Sequence, residues 1–134
     1  MNTSSVEYLG NLRTKATHLK SGNVILTDAP TDNHGKGEAF SPTDLAATSL
    51  ASCLITIMGI AAQTHEIDMT GTKATVQKIM DSNPRRIAEV VIHIEMPKKD
   101  FSDKEKAILE KAAHHCPVAM SLHDNTKESI TFNW

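Results

Sequence analysis

Between Asp44 and His65 the chain runs for twenty residues without a charged side chain, and this run constrains everything around it. It has a physical reason to start as a helix. Ser41 is placed to accept at the N-cap, Pro42 suits the first helical position, where no backbone donor is needed, and Asp44 falls where a capping-box acid meets the positive end of the helix dipole. Leu45, Leu50, Leu54, Ile55, Ile57, Met58 and Ile60 point to every side of such a helix, while Ala46, Ala47, Ala51, Gly59, Ala61 and Ala62 leave room for neighbours to come close. The helix over Ser41 to Gln63 must therefore be enclosed. A run of about 20 apolar residues would span a bilayer, but Thr48, Ser49, Ser52 and Thr56 dilute it and no basic cluster flanks it. The expectation is a central helix of a soluble domain with no membrane contact. A second copy of the chain is expected to cover what one copy cannot, giving a homodimer.

At 134 residues the chain is long enough for one domain, residues 1–134, with an ordinary core. A net charge of −2 and 4% aromatic residues leave neither a basic stripe nor rings on which bases could stack, so no nucleic acid is expected as a partner. The start, MNTSSVEYLG, has no basic region followed by an apolar run and no lipidation motif, which makes a cytoplasmic location the expectation. Two cysteines in that reducing compartment read as buried, reactive or metal-binding side chains sooner than as a structural disulfide.

Ahead of the long helix, Val6 to Lys20 has modest strand character, Ser21-Gly22-Asn23 is a turn and Val24 to Thr27 a second strand. Asp28 to Phe40 collects Pro, Asn, Gly and charge and reads as a loop. Its Gly35-Lys36-Gly37 matches neither a phosphate loop nor a dinucleotide fingerprint. After the helix, Ala74 to Met80 is a strand, Asp81-Ser82-Asn83-Pro84 a turn, and Arg85 to Met96 an antiparallel strand with Ala88, Val90, Ile92, Ile94 and Met96 on its inner face. Ser102 with Glu105 forms a capping box for a second helix carrying Ile108, Leu109, Ala112 and Ala113, ending near His115. Pro117 makes Cys116 the cap of a short helix to about Leu122, and Ser129 to Trp134 closes the chain as a strand. Strands and helices are segregated, so the fold class is α+β.

The two cysteines differ in setting. Cys116 lies at a helix start, where the dipole favours a thiolate, whereas Cys53 sits about three turns inside a helix and needs a cation from elsewhere in the fold to act as a nucleophile. Either is also compatible with a buried, inert filler, because free cysteine is among the most buried residue types. A metal reading would use His114, His115, Cys116 and His123, but no second ligand pair at a standard spacing exists, and those histidines fit the C-terminal end of the second helix. No Gly-x-Ser-x-Gly elbow is present to support a serine hydrolase.

With SPTDLAATSLASC and the later CPV together, the chain resembles the OsmC/Ohr family of thiol peroxidases and related redox proteins over nearly its whole length. The shared features are a Ser/Asn-Pro start to an apolar helix, a cysteine eleven residues after that proline, and a Cys-Pro pair just after an amphipathic helix. LTDAPTDNHGKGEAFSP is similar to the OsmC-like branch. The resemblance implies an intertwined homodimer in which long central helices are wrapped by antiparallel β-sheets from both chains. It further implies a cofactor-free reaction in which Cys53 reduces an organic hydroperoxide and Cys116 resolves the sulfenic acid as a disulfide, which a dithiol donor such as a lipoylated protein reduces. Hydroperoxide reductases of the family carry a glutamate directly after the helix-starting proline, paired with an arginine that holds the thiolate. The matching position here is Thr43. Arg13 is the arginine the resemblance points to, with Thr43, Asp44 or Glu38 to orient it. The alternative implied by Thr43 is an OsmC-like protein that binds a hydrophobic small molecule without peroxidase turnover.

Overall fold

Gly10, Asn11 and Leu12 have φ of 87°, 54° and 62°, and this left-handed run folds what reads as one long strand into a hairpin. The computed structural model describes residues 1–134. By their contacts they form two units, Met1–Ala46 and Ala47–Trp134. The first contains a meander of β1 (Ser4–Gly10), β2 (Arg13–His18) and β3 (Val24–Asp28). The expected single strand from Val6 to Lys20 is thus two strands. Glycine adopts the left-handed conformation at little cost and Asn tolerates it. Leu12 is held there from both sides: its N–H donates to the Tyr8 hydroxyl at 3.2 Å and its carbonyl accepts the Ala29 N–H at 3.0 Å. The second turn falls at Ser21-Gly22-Asn23 as expected, with Gly22 at φ 78° and His18 donating its N–H to the Asn23 carbonyl at 2.8 Å. That turn sets the register in which Arg13 lies opposite Asp28.

The loop after β3 folds back through a short 3-10 turn, Thr31–Asn33, with Gly37 at φ 62° donating to the Ala29 carbonyl at 3.3 Å. α1 (Pro42–Thr64) follows. Its cap is reciprocal: the Asp44 N–H donates to Ser41 Oγ and the Ser41 N–H to Asp44 Oδ2, both at 3.0 Å. Two otherwise orphaned donors at the helix start are thereby satisfied.

The core belongs to the second unit. α1 buries Ala47, Leu50, Ala51, Leu54, Met58 and Ala62, a stripe at helical spacing, so within one chain it is covered on one side and not all round. Ile60, away from that stripe, is 57% exposed. By length and composition α1 could cross a membrane, but Leu50, Leu54 and Met58 have no exposed surface and anchor the core. β4 (Lys73–Asp81) pairs antiparallel with β5 (Arg86–Glu95), whose inner face carries the expected Val90, Ile92 and Ile94, all buried, continued by Met96 just beyond the strand.

α2 (Asp103–Ala113) begins with the expected capping box between Ser102 and Glu105, and α3 (Pro117–Ser121) with Cys116 as its N-cap residue. β6 (Lys127–Asn133) then pairs with β5, but in parallel, so this edge of the sheet departs from the antiparallel expectation. The reason is topological: the chain between β5 and β6 runs through two helices, a crossover that returns it in the direction in which it left. Trp134 fastens the end, its ring edge-on to Phe101 at 5.2 Å and its indole N–H donating to Glu110 at 3.0 Å. Two three-stranded sheets with helices segregated along the chain make the class α+β.

Candidate functional site

The chain's only two cysteines meet. Cys53, about three turns into α1 among apolar and hydroxyl side chains, is half-buried, and Cys116 is fully buried where α3 begins. The two thiols are neighbours, near enough for the Cys53 sulfur to bear on the proton of Cys116. Both are free thiols. Their surroundings are apolar: Cys116 belongs to the core with Leu109 and Ala113, and Cys53, Val118, Ala119 and Leu122 pack against that core.

Burial pushes the Cys116 thiol up, and the contact with Cys53 pushes it the same way, while the Val118 and Ala119 amides at the start of α3 pull it down. The helix start thus favours a thiolate, as its position in the sequence implies, but the loss of water outweighs it. Cys116 is kept as a protonated thiol. In that form it is a poorer nucleophile than a thiolate, and it can donate its proton when a bond to Cys53 forms.

The other candidate residues gather in the first unit. Arg13, on β2, donates from Nε to Asp28 Oδ1 at 2.7 Å and from Nη2 to Asp28 Oδ2 at 2.8 Å, a bidentate pair directly across the strand register. The Asp28 carboxylate also accepts the Glu38 N–H at 3.1 Å, and Arg13 Nη2 lies 3.5 Å from Glu38 Oε2. Asp28 is only 1% exposed, whereas the Glu38 side chain is 64% exposed. The Arg13 bonds, with help from the Glu38 amide and against the effect of burial, hold the Asp28 carboxyl below the usual carboxylate range, and Asp28 in turn holds the Arg13 proton more firmly.

Of the acids and hydroxyls considered for orienting Arg13, the structure places Glu38 beside it. The Asp44 carboxylate accepts the Ser41 N–H, and the Thr43 hydroxyl bonds Ser41 Oγ at 3.2 Å. The main carboxylate partner is Asp28, which the sequence reading assigned to a loop. The signal was there: once Ser21-Gly22-Asn23 is a tight turn, counting pairs outward from it brings Arg13 opposite Asp28.

A sequence model of the family described as OsmC-like protein matches residues 35–131. The chain belongs to the OsmC-like family. Its fold is that of solved relatives. A proposed osmotic stress induced and detoxification response protein from Psychrobacter arcticus 273-4 is 53% identical, with a TM-score of 0.95 over 99% of this chain and 96% of that one. An organic hydroperoxide resistance protein OsmC from Legionella pneumophila is 17% identical, with a TM-score of 0.76 over 100% and 98% of the two chains. An organic hydroperoxide resistance protein from Elizabethkingia anophelis is also 17% identical, with a TM-score of 0.70 over 99% and 96%. At such identities these last two share the fold. No curated protein sequence matches the chain. Within an OsmC-like chain, the cysteine contact sits on the two motifs, SPTDLAATSLASC and CPV, that first marked the resemblance.

Proposed function

We propose that this OsmC-like protein is a cytoplasmic, homodimeric thiol peroxidase that reduces organic hydroperoxides without a cofactor. The observation that carries the reading is the contact between Cys53 and Cys116 in apolar surroundings. Two relatives of the same fold described as organic hydroperoxide resistance proteins support the substrate class. In the first step the Cys53 thiolate attacks the distal oxygen of ROOH: the O–O bond breaks, sulfur is oxidised to the sulfenic acid, and the alkoxide leaves and takes a proton as ROH. In the second, the Cys116 sulfur attacks the Cys53 sulfenic sulfur, an S–S bond forms and water leaves with the thiol proton. An external dithiol, such as a lipoylated protein, then reduces the disulfide and is itself oxidised to a disulfide. Arg13 is assigned to the Cys53 thiolate and the departing oxygen, and of Glu38, Asp44 and Thr43 it is Glu38 that lies beside it to bear on its placement.

The burial of Cys116 favours alkyl over hydrogen peroxide as oxidant, because an apolar setting binds an apolar tail. The test is the intact mass of the reduced protein after brief exposure to stoichiometric cumene hydroperoxide, with hydrogen peroxide in parallel. A rapid loss of about 2 Da per chain, faster with the organic oxidant and absent from Cys53→Ser and Cys116→Ser, is the expected result. No change over minutes would overturn the reading and direct attention to binding of a hydrophobic small molecule without turnover.

A further inference from the structure

A disulfide between Cys53 and Cys116 offers a reductant two sulfurs, of which one is attacked and the other expelled. The entering thiolate comes in line with the S–S bond, from the side away from the sulfur that leaves, so access to each sulfur decides which cysteine carries the new bond. Here the two are not equivalent. Cys116 has no exposed surface and shares the core with Leu109 and Ala113, which are equally closed to water. Any approach to its sulfur would have to part that packing. Cys53 is only half-buried, next to the exposed Ser52 on α1. Its sulfur is the one that a thiol arriving from solvent can meet.

We propose that the reducing thiol attacks the Cys53 sulfur and expels Cys116, so that Cys53 carries the mixed disulfide. The proposal rests on the Cys53/Cys116 disulfide of the reading under Proposed function. One thiolate of the external dithiol forms an S–S bond to Cys53 while the Cys53–Cys116 bond breaks and its electron pair leaves on Cys116. The donor's second thiolate then attacks the donor sulfur of the mixed disulfide, closes the donor's own disulfide and releases Cys53 as a thiolate. Two electrons pass to the protein in all. Cys116 is suited to leave: as the N-cap residue of α3 it takes up its charge beside the Val118 and Ala119 amides, whereas the amides around Cys53 are bonded within α1. Burial then draws a proton onto the freed sulfur. A thiol attacks back more slowly than a thiolate, which leaves the mixed disulfide standing for the donor's second thiol.

The experiment starts from protein oxidised with diamide, which takes two electrons and two protons from a pair of thiols and involves no hydroperoxide. Loss of about 2 Da confirms the disulfide. The oxidised protein is exposed briefly to 2-mercaptoethanol, a monothiol that cannot complete the second exchange within one molecule, quenched in acid, blocked with N-ethylmaleimide in urea and digested with trypsin. Lys73 and Lys111 lie between the two cysteines and put them in separate peptides. The expected product has mercaptoethanol on Cys53 and maleimide on Cys116, in at least about tenfold excess over the reverse. Exchange carried out in urea, where no packing shields Cys116, should divide about equally between the two. Mercaptoethanol mainly on Cys116, an even division in the native protein, a preference as strong in urea as without it, or failure of diamide to join the two cysteines overturns the proposal. Protein that gives the expected adduct but loses no mass with cumene hydroperoxide removes the peroxidase reading and keeps this one; mass loss with hydroperoxide and an adduct on Cys116 do the reverse.

Discussion

Arg13 and Asp28 face each other across the β2–β3 register, and their side chains meet through two near-parallel bonds of 2.7 and 2.8 Å. Strand pairing and ion pairing thus specify the same geometry: a slip of one residue in the hairpin would carry Arg13 to the opposite face of the sheet and break both.

The pair gives stability a defined dependence on pH. The Asp28 carboxyl is held below its ordinary value in the folded chain, first by the Arg13 bonds. Above about pH 4, the unfolded carboxylate value, the group is ionised in both states and its contribution is fully present. As pH falls through that value the unfolded chain binds the proton first, and the contribution fades until the folded carboxyl is protonated too. Asp28→Asn should therefore melt below the parent at pH 5 to 8 by a constant interval, and the interval should shrink below about pH 4. Melting curves over this range check it; an interval that is constant down to pH 2.5 would contradict the bidentate pair.

The features that were legible in the sequence are those written in local chemistry. Ser41, Pro42 and Asp44 mark the start of α1, Ser102 and Glu105 that of α2, and Cys116-Pro117 that of α3, because each cap is settled within a few residues. The β1–β2 hairpin was not legible, since its turn places Leu12 at φ 62°, a conformation its own side chain disfavours and that bonds to Tyr8 and Ala29 secure. The parallel placement of β6 depends on where a two-helix crossover lands, which no local pattern encodes. Asp28 was hidden for a related reason: beside Ala29 and Pro30 it reads as loop, and its partner is fifteen residues away.

The α2 cap predicts a measurable loss. Ser102 Oγ accepts the Glu105 N–H at 3.1 Å while Glu105 reaches back to the Ser102 N–H at 2.9 Å. Ser102→Ala should lower stability by about 1 kcal/mol in urea unfolding, with an unchanged dependence on denaturant concentration.

Leu54 has no exposed surface and lies on the buried stripe of α1. Leu54→Ala removes three methyl-group equivalents of packing and leaves a cavity, and it should cost about 3 kcal/mol by the same measurement. A cost below about 1 kcal/mol would mean that the core collapses around the site.

The thiols should differ in reactivity. Burial and the neighbouring sulfur keep Cys116 protonated, whereas Cys53 is partly open to solvent. In the reduced native protein at pH 7, iodoacetamide should label Cys53 at least about tenfold faster than Cys116, and the difference should vanish in urea, where both titrate as ordinary thiols. Peptide mass spectrometry separates the two. Equal native rates would show that Cys116 is reached by solvent more readily than its burial allows.

The homodimer proposed above has its own physical motive. Within the first unit Val6, Tyr8, Val24, Ile25 and Leu26 of the meander are between 42% and 66% exposed in a single chain, and in the second unit Ile60 of α1 is 57% exposed, apolar area on each that a partner would cover. Light scattering at micromolar concentration should give twice the chain mass of 14.6 kDa. Placing a charge on α1 with Ile60→Lys should shift the protein toward the monomer, because an unpaired ammonium is costly to bury in an apolar interface. If the parent has the mass of one chain across that concentration range, a second copy is not what covers Ile60, and the exposed face of α1 must be accounted for in another way.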